Sequence, residues 1–231
     1  MTSPPIYQFY AKLDDFEPKI WRRFQVNGDI TVAWLAYIIQ VLFEMKASHL
    51  FCVVHERPFL TRSGRLSKRM ELISRYDILD EDSDFDIESE DARKVKLSAL
   101  NLESPSHLVV CYDFGDDWRV SVILEEIAED KSLSAKELPR VLEGAGFGIV
   151  EDCGGLFGLD NLIEAFKEKK GDDYEQFSEW LGVDDFDIMT FDLDDMNFRL
   201  KKIPKIYKQC YEDMLTPTQR SMDLIERKYL K

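Results

Sequence analysis

Two short segments gather the groups best able to do chemistry: Asp113-Phe114-Gly115-Asp116-Asp117-Trp118 and Glu151-Asp152-Cys153-Gly154-Gly155. Their carboxylates Asp113, Asp116, Glu151 and Asp152 are hard oxygen donors. Magnesium-dependent hydrolysis needs two or three such oxygens around an open metal position. The same groups also serve as structural acceptors. Asp113 and Asp116 can take backbone N–H bonds inside a tight loop, and Glu151 or Asp152 can cap the turn into the next helix. Both readings stand at this point. Cys153 lies beside two acids, which raise a thiol pKa and oppose a reactive thiolate, so packing beside Gly154 and Gly155 is its simpler role. Arg22 and Arg23 could pair with the motif acids. Trp21 and Trp118 read as core anchors or as walls of a groove. His49 and His107 sit at strand starts and read as structural.

Several chemistries are absent. There is no GxxxxGK[ST] phosphate loop and no GxSxG elbow, and His55-Glu56-Arg57-Pro58 fails the HExxH pattern. Gly144-x-Gly146-x-Gly148 lacks the spacing of a dinucleotide fingerprint. Four cysteines without a CxxC pair argue against a zinc ribbon. Asp80-x-Asp82-x-Asp84 begins like a calcium loop, but Phe85 stands where glycine is required and Asp91 replaces the bidentate glutamate. No cofactor is expected.

The 231 residues carry 30 bases and 45 acids, a net charge of −15. Much of the excess sits in two runs: residues 80–91 hold eight acids and residues 184–195 hold six, with no base in either. Like-charge blocks of this kind stay in water. Overall acidity disfavours broad nucleic-acid binding, which depends on neutralising phosphates. With 15 Phe, 9 Tyr and 4 Trp the chain can fill a large core without a metal or disulfide staple. Reduced thiols, the absence of a signal-peptide pattern at the start, and no apolar stretch near bilayer length point to a cytoplasmic protein that does not enter a membrane.

Positioning these groups takes a sheet and several helices. Residues 6–13 alternate around Tyr7, Phe9 and Ala11, and residues 19–26 place Ile20, Arg22 and Phe24 opposite Trp21 and Arg23. They read as an antiparallel pair. Asp29 or Thr31 can cap a widely buried helix over 32–45. Strands follow at about 49–55, 108–112 and 118–127, the last two joined by the Asp113–Asp117 hairpin loop. Residues 56–91 read as the least regular stretch, with a helix near 66–73. Beyond the glycine-rich 143–158 the chain reads as helical: one helix capped by Asp160, then 174–181, 193–200, and a pair, 206–215 and 219–230, split by Pro217. The expected fold is α+β, an antiparallel sheet with a buried helix after its first two strands and a helical C-terminal third. The main domain spans 1–200, with 201–231 as a helical extension packed on or beside it.

In order, Tyr7…Leu13…Pro18-x-Ile20-Trp21-Arg22-Arg23, His49-Leu50, the Asp113–Trp118 motif, Pro139-Arg140…Glu143-Gly144, Glu151-Asp152-Cys153-Gly154-Gly155 and Trp180-Leu181-Gly182…Phe186-Asp187…Asn197 resemble the Ri-plasmid open-reading-frame-three-like family. Members also occur as "TnpR-like" passengers on insertion elements. The resemblance covers about residues 6–200 and implies an α+β fold around an antiparallel sheet, with no particular activity. It does not imply a resolvase here, because a nucleophilic serine among arginines and a helix-turn-helix are missing. Members typically carry a histidine two residues after the motif tryptophan and another two residues after the first histidine. In this chain those positions are Val120 and Phe51, which weakens any metal or acid–base role that rests on them.

Three functions follow as expectations. The first is a non-enzymatic interaction module that binds a protein, a peptide or a nucleic-acid end through Trp21, Arg22, Arg23, Asp113, Asp116, Trp118, Glu151, Asp152, Cys153, Gly154 and Gly155. The second is a metal-assisted hydrolase using the four motif carboxylates. The third is a nucleic-acid accessory role for Arg62, Arg65, Lys68 and Arg69. The two motifs are expected side by side at one edge of the sheet, and Asp116→Ala and Asp152→Ala are each expected to lower stability, non-additively together.

Overall fold

The alternation of residues 6–13 becomes the inner seam of a sheet. In the computed structural model, which describes residues 4–60, 66–78, 88–130 and 133–230, β1 (Ile6–Leu13) buries Tyr7, Phe9, Ala11 and Leu13. It pairs antiparallel with β2 (Trp21–Asn27), Tyr10 opposite Arg23, and on its other side with β7 (Trp118–Ala128). The remaining strands are β3 (Phe51–Leu60), β4 (Leu66–Asp77), β5 (Glu90–Asp91), β6 (His107–Tyr112) and β8 (Arg140–Ala145). Among the described residues eight strands form one sheet in the order β5-β4-β3-β6-β7-β1-β2-β8. Every pairing is antiparallel except β4 with β5.

Helix α1 (Val32–Leu42) lies on the inner face, with Thr31 Oγ1 accepting the Trp34 N–H at 3.1 Å. Nearly all of it is buried, as a helix that is apolar all round must be. It is shorter than expected: the chain leaves it at Phe43, and Glu44 takes a left-handed φ of 63°. Among the described residues the opposite face of the sheet carries a small buried apolar cluster, Cys52, Val109 and Cys111, with Val54 packed against it.

The helix expected near 66–73 is instead strand β4, with Glu56 opposite Leu72 and Arg57 opposite Glu71. The spacing of Leu66, Met70 and Ile73 fits a helix locally, but backbone pairing with β3 and the Arg57–Glu71 ion pair at 3.1 Å override it. Strand β8 was not expected at all. It forms where the start of the glycine-rich stretch pairs with β2.

The C-terminal third is helical: α2 (Gly155–Glu168), α3 (Asp172–Leu181), α4 (Leu193–Leu200), α5 (Ile203–Glu212) and α6 (Gln219–Ile225). Helix α2 starts ahead of Asp160, and its cap is Gly154. Ile203 and Tyr207 of α5 are fully buried, and the Tyr207 hydroxyl donates to the Met45 carbonyl behind α1. Among the described residues no helix is long and apolar enough to cross a membrane.

Candidate functional site

Three connections meet at one end of the sheet: the turn after α1, the β6–β7 loop and the turn into α2. The first carries His49, whose carbonyl accepts the Tyr211 hydroxyl of α5 at 2.6 Å. The second carries Asp113 in a left-handed conformation, φ 53°. Its Oδ1 accepts N–H bonds from Gly115 at 3.0 Å and Asp116 at 3.4 Å, so Oδ2 remains to face His49. The third carries Glu151 and Asp152, the latter with φ 62°. Aspartate is among the few side chains that tolerate this region.

His49 Nε2 is the meeting point. It lies 3.1 Å from Asp152 Oδ1, 3.6 Å from Asp113 Oδ2 and 3.8 Å from Glu151 Oε1. The two motifs are therefore side by side as expected, but at the end of the interior strands β6 and β7 rather than at an edge of the sheet, and a second contact repeats the juxtaposition. Gly155, at φ 68°, lies against the loop so closely that a Cβ there would stand 2.8 Å from the Asp116 carbonyl oxygen.

The carboxylates differ in kind. Glu151 is buried and saturated: Oε1 accepts the Ser48 hydroxyl at 2.7 Å and the Tyr112 hydroxyl, and Oε2 accepts the Lys46 N–H at 3.0 Å. Burial, and then Glu151 itself, hold the Tyr112 phenol far above its ordinary pKa, so it stays a donor. The donors to Glu151 thus come from Lys46, Ser48 and Tyr112. The Asp152 side chain is 67% exposed. Asp116 has a buried Oδ2 without a hydrogen-bond partner among the described residues. Burial first, then Asp116 and Asp152, push the Cys153 thiol up to about 12, which makes it a poor nucleophile.

These differences separate two mutants. Glu151→Ala strands three donors and should cost about 2 kcal/mol, whereas Asp152→Asn keeps a side chain that tolerates the left-handed φ of 62°, weakens only one exposed contact and should cost less than about 1 kcal/mol. Thermal unfolding of the two variants checks the order. The expectation that Asp116→Ala and Asp152→Ala combine non-additively through shared partners is revised: among the described residues the Asp152 carboxylate meets His49, while the buried Asp116 Oδ2 has no hydrogen-bond partner.

The second strand takes no part in this cluster. Arg22 is fully buried and donates to the carbonyls of Trp21, Ala145, Gly146 and Phe147 at 2.7–2.8 Å. Burial weighs against its charge and Glu44 weighs for it. Arg23 pairs with Glu125 at 2.7 Å and with Glu143. The expected ion pairs of Arg22 and Arg23 with the motif acids are thus absent among the described residues; the arginines fasten β2 to β7 and β8 instead. Trp21 stacks on Tyr10, ring centroids 5.5 Å apart. Trp118 is fully buried and anchors the loop from beneath, so it lines no groove. His49, which reads from sequence as structural, is the centre on which the carboxylates converge. Phe51 and Val120 are core residues. Arg62, Arg65 and the 80–87 acids, the calcium-like run included, lie outside the described residues, as do the side chains of Lys68 and Arg69.

An antiparallel α+β sheet, one end of which gathers a histidine and three carboxylates from three connections, is the class of protein these features define. The chain belongs to the plasmid pRiA4b ORF-3-like protein family, whose model matches residues 5–195. It is similar to the uncharacterized protein y4hQ of Sinorhizobium fredii (strain NBRC 101917 / NGR234), 27% identical over 194 residues, covering 83% of this chain and 89% of that one. It is also similar to the crystal structure of a protein of unknown function, MM3350, from Methanosarcina mazei Go1. There the TM-score is 0.65 and the identity 28%, covering 84% of this chain and 97% of that one.

Proposed function

We propose that the chain is a non-enzymatic interaction module whose Asp113–Asp152 surface takes a short segment of a partner protein bearing an apolar side chain beside a basic one. One observation carries this reading: His49 of the carboxylate cluster also lines a cavity of about 240 Å³ whose walls include Leu50, Phe51, Phe114, Tyr211 and Met214. Leu50, Phe114 and Met214 are 60%, 48% and 78% exposed. An apolar pocket with a negative rim matches an anchor residue flanked by lysine or arginine.

Fluorescence polarisation with a labelled Gly-Arg-Leu-Arg-Gly peptide tests it. Saturable binding that weakens with salt is expected, with a loss of about tenfold or more, worth about 1.4 kcal/mol, in both Asp113→Asn/Asp152→Asn and Phe114→Ala. A Gly-Glu-Leu-Glu-Gly peptide should not bind. Absence of binding at low salt, or indifference to both variants, removes the reading.

A second reading has its own observation. One donor atom each from His49, Asp113 and Asp152 lie within 4.8 Å of one another, the spread a divalent ion with mixed nitrogen and oxygen ligands requires. Calorimetric titration with Zn²⁺, Mn²⁺ and Mg²⁺ distinguishes the two. One equivalent of heat that His49→Ala abolishes, with no peptide binding, moves the assignment to a metal site.

A further inference from the structure

Charge divides this chain sharply near residue 195. Residues 196–231 carry nine Lys and Arg against four Asp and Glu, a net of +5, while residues 1–195 carry 21 against 41, a net of −20. The family match ends at residue 195, so the basic segment lies beyond it. Its bases are not scattered. Lys201, Lys202, Lys205, Arg220 and Lys228 line one groove of about 700 Å³ at α4, α5 and α6, with Phe198 and Tyr229 as its aromatic wall.

The groove's charge is largely uncompensated. Lys228 pairs with Glu226, and Lys208 nearby pairs with Glu212 at 3.6 Å. Among the described residues Lys201, Lys205 and Arg220 have no ion-pair partner, and Lys202 lies over the Phe198 ring at 3.1 Å from its centroid. The one acid of the lining, Asp223, accepts from Gln219 at 2.9 Å. Phe198 and Tyr229 pack 5.5 Å apart and remain 43% and 39% exposed. With Lys228 answered by Glu226, the groove holds four like charges, Lys201, Lys202, Lys205 and Arg220, which is unfavourable unless an anion answers them.

We propose that this groove binds a short stretch of single-stranded nucleic acid, the lysines and Arg220 meeting its phosphates and the aromatic wall meeting a base. Cationic side chains set beside exposed rings are the combination that recognises a strand with free bases. A duplex hides its base faces, and its dense charge would face the −20 body of the protein. The body's repulsion also keeps the contact short. The proposal is independent of the peptide-binding surface, since the two sites share no residue.

The full chain and a fluorescein-labelled octathymidylate test it. Four phosphate contacts predict that log K falls against log salt with a slope of about −3, from about 0.7 per contact on a single strand. Lys201→Glu/Lys205→Glu changes two exposed residues, and circular dichroism should leave its fold unchanged. It should weaken binding at least about tenfold and bring the slope to about −1.4, the value for two contacts. Lys201→Gln/Lys205→Gln should give an intermediate loss. The proposal is overturned by no binding at low salt, by affinity and slope indifferent to both variants, or by equal binding of an octaglutamate. Concentration-dependent self-association that the same variants abolish would also overturn it, placing the acidic body of a second copy in the groove.

Discussion

Glu44→Gln is expected to lower the free energy of unfolding by about 3–5 kcal/mol, the cost of leaving a buried ion pair without its partner. Glu44 follows α1, and its carboxylate is almost wholly buried. It accepts from Arg199 of α4 at 2.8 and 2.9 Å and from Arg227, beyond α6, at 2.5 and 2.9 Å. Arg227 also donates to Asp195 at 2.7 Å, and Arg199 to the Ile225 carbonyl at 3.1 Å. Burial alone would lower the Arg227 pKa, but Glu44 and Asp195 outweigh it and the pKa is raised, so the acids hold the guanidinium charged. Glutamine would present one acceptor and no charge to two cations from different elements. Urea unfolding should show a lower midpoint with an unchanged slope. A loss below about 1 kcal/mol would mean that Asp195 and water suffice, and that the network does not hold the C-terminal segment to α1.

Much of the fold is written locally. Tyr7, Phe9, Ala11 and Leu13 show the inner face of β1, Asp113–Asp117 shows the hairpin, and Gly182 ends α3 where its left-handed φ of 66° is needed. The parts that were missed depend on partners far along the chain. β4 is a strand because β3 offers it a register, and β8 because β2 does. The acceptors of Arg22 are, apart from the Trp21 carbonyl, more than 120 residues away, and the Tyr211 that fixes the His49 turn is 162 away. Neither distance leaves a mark in a local window. The candidate site was legible as two motifs because Asp, Gly and Trp are compressed into short loops. Its centre was not, because a lone histidine after a helix looks the same whether or not carboxylates converge on it.

The turn that brings Asp152 to His49 rests on one missing methyl group. Gly158 closes the first turn of α2, its N–H bonding to the Gly154 carbonyl at 3.2 Å. A Cβ there would stand 1.7 Å from the Cys153 carbonyl oxygen and 2.5 Å from its carbon. That is backbone, and no rotamer change relieves it. Gly158→Ala must therefore push residues 151–154 off the helix, taking Glu151 from Lys46, Ser48 and Tyr112 and Asp152 from His49. The expected cost is about 3 kcal/mol or more, the upper reach of overpacking penalties. Gly171→Ala is the matched control. It too sits at a helix start, with a φ of 87° that alanine adopts poorly, but a Cβ there meets nothing within 4 Å. Its cost should be that of the backbone conformation alone, about 1–2 kcal/mol, and it should leave peptide binding at that end of the sheet intact. If Gly158→Ala proves as stable as Gly171→Ala and still binds the basic peptide, the turn is not held by α2, and the meeting of Asp152 with His49 must be maintained by the His49 side alone.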